Sequence, residues 1–320
     1  MLLETKADFR FRKLIFVNGN RFSRTKIKVI FMSHTIRFDG EVITSRQNRR
    51  VVELMKLDDR RAREKARRFR FDGVKLLCEA IRRGVELDSI FLRADTAERV
   101  ESRMRELYGC TLEGIGCPVF AVEGSLFEKI SQENAPEGVI TVAKYIDKSH
   151  KNIIIYKEDE NCNAKSPVIL LDAVRDPLNV GAIIRSAAAL GVGHLILSAD
   201  CADIYHPRTV RAAMGPMFSM TITRVDDLVG TVRALRNNEH AVYAAALDDT
   251  ALRLGSREWN EARKDFSSAP CVVIGNEGHG ISEEVLRACT RSVYIPMQAD
   301  TESLNAGVAA ALLMWELCKD

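Results

Sequence analysis

Between residues 167 and 320 the chain alternates short, almost wholly apolar runs with segments of helical period. VILLD, HLILS, AVYAAAL, CVVIG and SVYIP lack the polar-every-second-residue pattern of a half-exposed strand. Strands of that kind are buried on both faces, as in a parallel sheet between two helical layers. FSMTITRV adds a further strand. VGAIIRSAAALG, PRTVRAAMG, LVGTVRALRN and ISEEVLRAC supply the covering helices, and a last helix is expected from about Ser303 to Cys318. In such sheets ligands sit beyond the carboxyl ends of the strands. The loops to read are therefore those after VILLD, CVVIG and SVYIP.

A smaller α/β block precedes this half, over residues 37–147. ITSRQNRRVVELMKL (Ile43 to Leu57), VKLLCEAIRRG and TAERVESRMRELYG read as helices, and FEKISQ as a helical turn. DSIFLR, CPVFAV and EGVITVAKY read as strands. Between the blocks, residues 148–166 contain the polar run KEDENCNAKS and are expected to be a linker. Residues 1–36 are expected to be a disordered or misassigned extension. FRFRKLIFVNGNRFSRTKIKVIF has many bases and no acid, and Met32 opens a more ordinary sequence.

Composition excludes several classes. At 46% apolar and 28% charged residues the chain is an ordinary globular protein. No apolar run approaches a membrane span, so no membrane association is expected. Eight cysteines are scattered without a CxxC pair, which argues against a disulfide scaffold and a metal site and for a cytoplasmic protein. Charge is uneven: residues 1–150 hold 30 Lys/Arg against 22 Asp/Glu, and the remainder 17 against 22. The basic half is the candidate for a polyanion partner.

The three loops are more polar than packing requires. In DAVRDPLNVGAIIRSAAALG, Pro177 ends the strand and Asn179 can cap the following helix. Gly181 lets that helix approach another backbone. Arg185 stands on an otherwise apolar helix; taken alone it reads as a snorkelling surface arginine. IGNEGHGISEEV places glycines around Glu277 directly after a buried strand; taken alone it reads as a turn, and its spacing is neither GxGxxG nor GxxxxGK[ST]. IPMQADTESLNAGVAAALLMWEL sets Ser303 and Asn305 at the mouth of an apolar helix, where capping is the simplest reading.

Together DPLNVGAIIRSAAALG, VVIGNEGHGIS and IPMQADTESLNAGVAAALLMWE resemble, in order and separation, the three motifs of the SpoU/TrmH family of RNA ribose 2′-O-methyltransferases, within the SPOUT class. ITSRQNRRVVELMKL, FRFDGVKLLCEAI and PEGVITV resemble that family's substrate-binding domain, which is similar to ribosomal protein L30e. Two positions depart from the pattern: Gln298-Ala299 replaces a frequent glycine, and Ala213 a usual serine.

The resemblance implies a C-terminal trefoil knot, S-adenosylmethionine (AdoMet) as cofactor, and a homodimer with the site at its interface. It places the cofactor on Gly275, Ile295 and Leu304. It places the catalytic surface on Asn179, Arg185, Glu277, Ser303 and Asn305. The implied substrate is RNA, ribosomal ahead of transfer RNA. A catalytically silent RNA-binding protein on the same scaffold is the alternative. A nicotinamide oxidoreductase is excluded by the missing glycine fingerprint.

Only RNA carries the 2′-hydroxyl. The family's proposed base stands at the Arg185 position, but a guanidinium is always protonated. The reading preferred from its chemistry is a phosphate clamp, with a phosphate oxygen or water taking the proton. The basic run Arg60, Arg61, Arg63, Arg67, Arg68 and Arg70 is expected to track the RNA backbone, although such a run can also be a solvated face.

Overall fold

The computed structural model describes residues 36–147, 166–264, 268–298 and 303–319. The expected extension, except Ile36, and the expected linker, except Ser166, lie outside the described residues.

The N-terminal elements are α1 (Arg49–Lys56), α2 (Arg60–Ala66), β1 (Arg68–Asp72), α3 (Val74–Arg82), β2 (Leu87–Arg93), α4 (Ala97–Tyr108), β3 (Val119–Val122), α5 (Gly124–Ile130) and β4 (Val139–Lys144). Their strands form one sheet in the order β1-β4-β2-β3. β4 runs antiparallel to both neighbours, while β2 and β3 are parallel. The first helix is shorter than expected because Asn48 caps it, its Oδ1 accepting from Arg50 N at 3.0 Å.

The stretch read as a plain basic run divides into α2 and β1. Asp59 caps α2, accepting from Ala62 N at 2.9 Å. Arg67 ends it in the left-handed region at φ 53°. Along β1 the period of two then takes over. Phe69 and Phe71 are buried, with ring centroids 4.6 Å from Tyr205 and 5.6 Å from Phe218.

The C-terminal elements are β5 (Val168–Leu171), α6 (Pro177–Leu190), β6 (His194–Ser198), α7 (Pro207–Ala213), β7 (Ile222–Val225), α8 (Leu228–Asn237), β8 (Val242–Ala245), β9 (Leu252–Arg253), α9 (Arg257–Lys264), β10 (Cys271–Ile274), α10 (Glu283–Ala288), β11 (Arg291–Tyr294) and α11 (Ala306–Cys318). The strands form an all-parallel sheet in the order β7-β6-β5-β10-β8-β11-β9. β10 inserts between β5 and β8, and β11 between β8 and β9. The ends of β5 and β10 thereby become neighbours, and their loops meet on one edge.

Two of these C-terminal elements have no counterpart in the sequence reading. Strand β9 is two residues long. Helix α9 is polar except for Ala262 and for Trp259, which is fully buried and donates its indole N–H to Glu316 at 3.0 Å.

The two sheets share an apolar core. Phe69, Phe71, Leu76 and Ala80 cluster with Ile184, Tyr205, Met217 and Phe218. Gly181 permits the contact of α6 with α7: a Cβ there would lie 2.5 Å from Ala212 Cβ and 2.7 Å from Thr209 O. No helix among the described residues is long and apolar enough to cross a membrane. Cys78, Cys110, Cys201, Cys271 and Cys289 are buried free thiols.

Candidate active site

Asp172, at the end of β5, starts the site. Its buried carboxylate accepts from Ser282 N and Ser282 Oγ, each at 2.8 Å, which ties the β5 loop to the start of α10. Ala173 follows at φ 52°, a conformation costly for a residue with a Cβ. It is held from both sides. Its N–H donates to Ser198 Oγ at 2.9 Å, and its carbonyl accepts from Asn276 Nδ2 at 2.8 Å.

Asp176, not Asn179, caps α6: its Oδ1 accepts from Leu178 N at 2.9 Å, with Pro177 in the first turn. That correction to the sequence expectation frees the Asn179 amide. The Asn179 side chain is buried. Its Nδ2 donates to Glu277 Oε1 at 2.5 Å, and its Oδ1 accepts from Asn305 Nδ2 at 2.9 Å. Asn305 is also the N-cap of α11, accepting from Gly307 N at 3.0 Å and Val308 N at 3.3 Å. The cap fixes which end of the Asn305 amide meets Asn179, and that fixes which end of Asn179 meets Glu277. One polar chain thus joins the loops after β5 and β10 to the mouth of the last helix.

The glycine loop has its own logic. Asn276 and Gly280 exchange backbone hydrogen bonds at 2.8 and 2.9 Å, closing a small hairpin. Asn276 Oδ1 accepts from Gly278 N at 2.9 Å. A Cβ on Gly275 would lie 2.3 Å from Gly280 C, so the close approach that requires this glycine is made by the loop's own backbone.

Ile295, just past β11, is half-buried against the core, and Leu304 is half-buried before α11. Ser303 is exposed and makes no side-chain hydrogen bond among the described residues. Arg185 is exposed on α6, without a hydrogen bond or ion pair among the described residues. The structure therefore brings Asn179, Glu277 and Asn305 together by direct bonds, and leaves Arg185 and Ser303 open. Asp172, Asn276 and Ser198, which shape the loops, carried no role in the sequence reading. A carboxylate directly after a buried strand was the available signal for Asp172.

These loops suit AdoMet. A sulfonium is cationic and its adenosine is largely apolar. Among described residues 275–281, 295–298 and 303–305 there is no Lys or Arg to repel it. Ile295 and Leu304 offer apolar walls, and Glu277 offers a negative charge. No group of three or more His, Cys, Asp or Glu among the described residues could hold a metal ion.

The basic run is not one surface. Arg63 is buried and donates to Asp203 Oδ2 at 2.6 and 3.2 Å and to the carbonyls of Leu57 and Asp58 at 2.8 and 2.9 Å. Arg70 is buried too, 3.0 Å from Asp58 Oδ1 and donating to Ile130 O at 2.8 Å. Both guanidinium groups are held inside the protein, which corrects the expectation that they face RNA. Arg68 is half-buried against Asp88 at 3.0 Å. Arg60, Arg61 and Arg67 are exposed.

Comparison with known proteins agrees with this geometry. The SpoU rRNA Methylase family model matches residues 166–315, and the MRM3-like substrate binding domain matches residues 48–141. The chain is 28% identical over 275 residues to the 23S rRNA (guanosine(2553)-2′-O)-methyltransferase RlmP of Bacillus subtilis, covering 86% of this chain and 98% of that protein. It is 28% identical over 278 residues to the 23S rRNA (uridine(2479)-2′-O)-methyltransferase of Streptomyces viridochromogenes, covering 86% and 90%. Among solved structures, the SpoU methyltransferase AviRb of Streptomyces viridochromogenes in complex with AdoMet superposes with TM-score 0.71 at 26% identity, covering 85% of this chain and 97% of that one. The two matched regions, the parallel sheet with its inserted strand and the bonded Glu277–Asn179–Asn305 chain lead to one conclusion: the chain carries a SpoU methylase domain over residues 166–315, preceded by an MRM3-like substrate-binding domain over residues 48–141.

Proposed function

We propose that this protein is an AdoMet-dependent RNA ribose 2′-O-methyltransferase acting on ribosomal RNA. Support for the reaction comes from the SpoU methylase domain over residues 166–315 and from relatives named as 23S rRNA 2′-O-methyltransferases. The observation that carries the site is the hydrogen-bonded chain from Glu277 through Asn179 to Asn305.

AdoMet supplies the methyl group. Gly275, Ile295 and Leu304 would hold it, mainly through backbone groups and apolar contact. Transfer to a hydroxyl is an in-line displacement, so catalysis depends chiefly on positioning. Asn305 and Glu277 hold the Asn179 amide in one orientation. Arg185 clamps the phosphate beside the reacting ribose and aims its 2′-hydroxyl. The hydroxyl proton passes to a phosphate oxygen or to water. Ser303 adds a hydroxyl at the open side of the site.

The block over 37–147 is the RNA-binding domain in this reading, with Arg60, Arg61, Arg67 and Arg68 as backbone contacts. The segment leading to Asn305 is the knotted crossing that the family implies. The protein works as a cytoplasmic homodimer. An exposed apolar stripe on α11 supports the dimer: Val308, Leu312 and Trp315 are 49%, 42% and 60% exposed at helical spacing. Mapping ribose methylations across ribosomal RNA, in a strain with and without this protein, tests the reading. One 2′-O-methyl group that vanishes with the protein supports it; an unchanged map contradicts it.

A further inference from the structure

A cavity of about 200 Å³ opens between the small sheet and the β6–α7 loop. Its floor is apolar, from Leu197, Ile204 and Ile222, and Glu64, Arg67 and Arg224 stand among the charged groups around it. It has room for one ring system rather than for a drug-sized ligand, whose pockets start at about 300 Å³.

Two tyrosines line it, in opposite states. Their rings stack with centroids 3.7 Å apart and planes at 15°. The Tyr205 hydroxyl is fully engaged. It accepts from Ile146 N at 2.7 Å and Asp147 N at 2.8 Å, and donates to Asp147 Oδ1 at 2.5 Å. The Tyr145 hydroxyl oxygen is buried and has no hydrogen-bond partner among the described residues. A buried hydroxyl left in that state costs free energy unless a ligand satisfies it. Burial also pushes the Tyr145 phenol up, so it remains a donor at neutral pH. Beside it, Arg67 is held in the left-handed region with its guanidinium 4.5 Å from the Tyr145 ring centroid.

The cavity adjoins the reacting loop. Its wall, the β6–α7 loop, donates Ala202 N to Val174 O at 2.9 Å and accepts Ala173 N on Ser198 Oγ at 2.9 Å. The same Ala173 is held by Asn276, next to Glu277.

We infer that this cavity receives an unstacked base of the substrate RNA, with the Tyr145 hydroxyl bonding the base edge; the inference rests on the function proposed above. A base has the required chemistry. Its faces are apolar enough for the floor, its edge carries donors and acceptors for the phenol and the carboxylates, and its phosphates can reach Arg67 and Arg224. Single-stranded RNA is read in this way, by bases turned out of the stack.

The test uses the full chain and Tyr145→Phe, with ribosomal RNA from cells lacking the protein as substrate. Loss of one hydrogen bond is expected to raise KM for RNA by about three- to tenfold. The value of kcat and AdoMet binding should remain as in the wild type, and the unfolding temperature should not fall, because the variant removes an unsatisfied buried hydroxyl. An unchanged KM overturns the inference. A lowered unfolding temperature also overturns it, because the hydroxyl would then serve the protein itself. Failure of the wild type to methylate in the same assay would instead overturn the proposed function.

Discussion

The Asn305 side chain caps the last helix with its oxygen and holds Asn179 Oδ1 with its nitrogen, at 2.9 Å. The two tasks can be separated. Asp caps a helix about as well as Asn but has no amide to donate. Asn305→Asp should leave the unfolding temperature nearly unchanged and lower methylation by about 100-fold through misplacement of Asn179. Single-turnover kinetics alongside thermal unfolding check this.

Gly275→Ala should be destabilising. A Cβ 2.3 Å from Gly280 C must push the hairpin open, at a cost of about 1–3 kcal/mol. Because Gly275 is also a proposed cofactor contact, calorimetry should show weaker AdoMet binding with it. Denaturant unfolding measures the first effect.

Arg63 and the exposed arginines should behave differently. Arg63→Met leaves Asp203 without its partner in a buried pair at 2.6 Å, which typically costs about 3–5 kcal/mol. The salt dependence of RNA affinity should not change in that variant. Replacing Arg60 and Arg61 by Gln should do the reverse, lowering the log–log salt slope by about 0.7–0.9 for each phosphate no longer neutralised. Filter binding across a salt series separates the two cases.

His206 makes the stability depend on pH. Its Nδ1 accepts from Arg208 N at 3.2 Å and caps α7. Burial, reinforced by Arg63, holds its pKa below the ordinary histidine value. The folded state thus binds this proton less well than the unfolded chain. The contribution is fully present above the unfolded value, near 6.5, and is lost as pH falls below it. The unfolding temperature should decline from pH 7.5 to 5.5, and less steeply in His206→Asn, which keeps a cap.

Trp315→Glu should weaken the proposed dimer. It places a charge on the most exposed residue of the apolar stripe on α11. Light scattering after size exclusion should show a shift towards monomer, with methylation falling in step.

The major strands were legible because β5, β6, β8 and β10 are continuous apolar runs, a pattern that a doubly covered parallel sheet demands. β1 was not, because RFRFD alternates arginine with phenylalanine and its charges hide a strand whose phenylalanines are buried. Trp259 is the one fully buried residue of α9, too sparse a signal for helical period. The burial of Arg63 depends on Asp203, 140 residues away, which no local pattern reveals. At the site, the resemblance of three loops to the family's motifs pointed to Asn179, Glu277 and Asn305, which by residue type alone read as caps and a turn residue. The bonds between them needed the cap at Asp176, which leaves the Asn179 amide free.

The central claim concerns methyl transfer to a sugar hydroxyl aimed by Arg185. The decisive measurement is transfer from methyl-tritiated AdoMet to ribosomal RNA, followed by nuclease digestion and identification of the labelled nucleoside. The wild type should place label in a 2′-O-methylnucleoside, while Arg185→Ala should bind AdoMet and transfer none. Label on a base, or equal transfer by Arg185→Ala, would contradict the account.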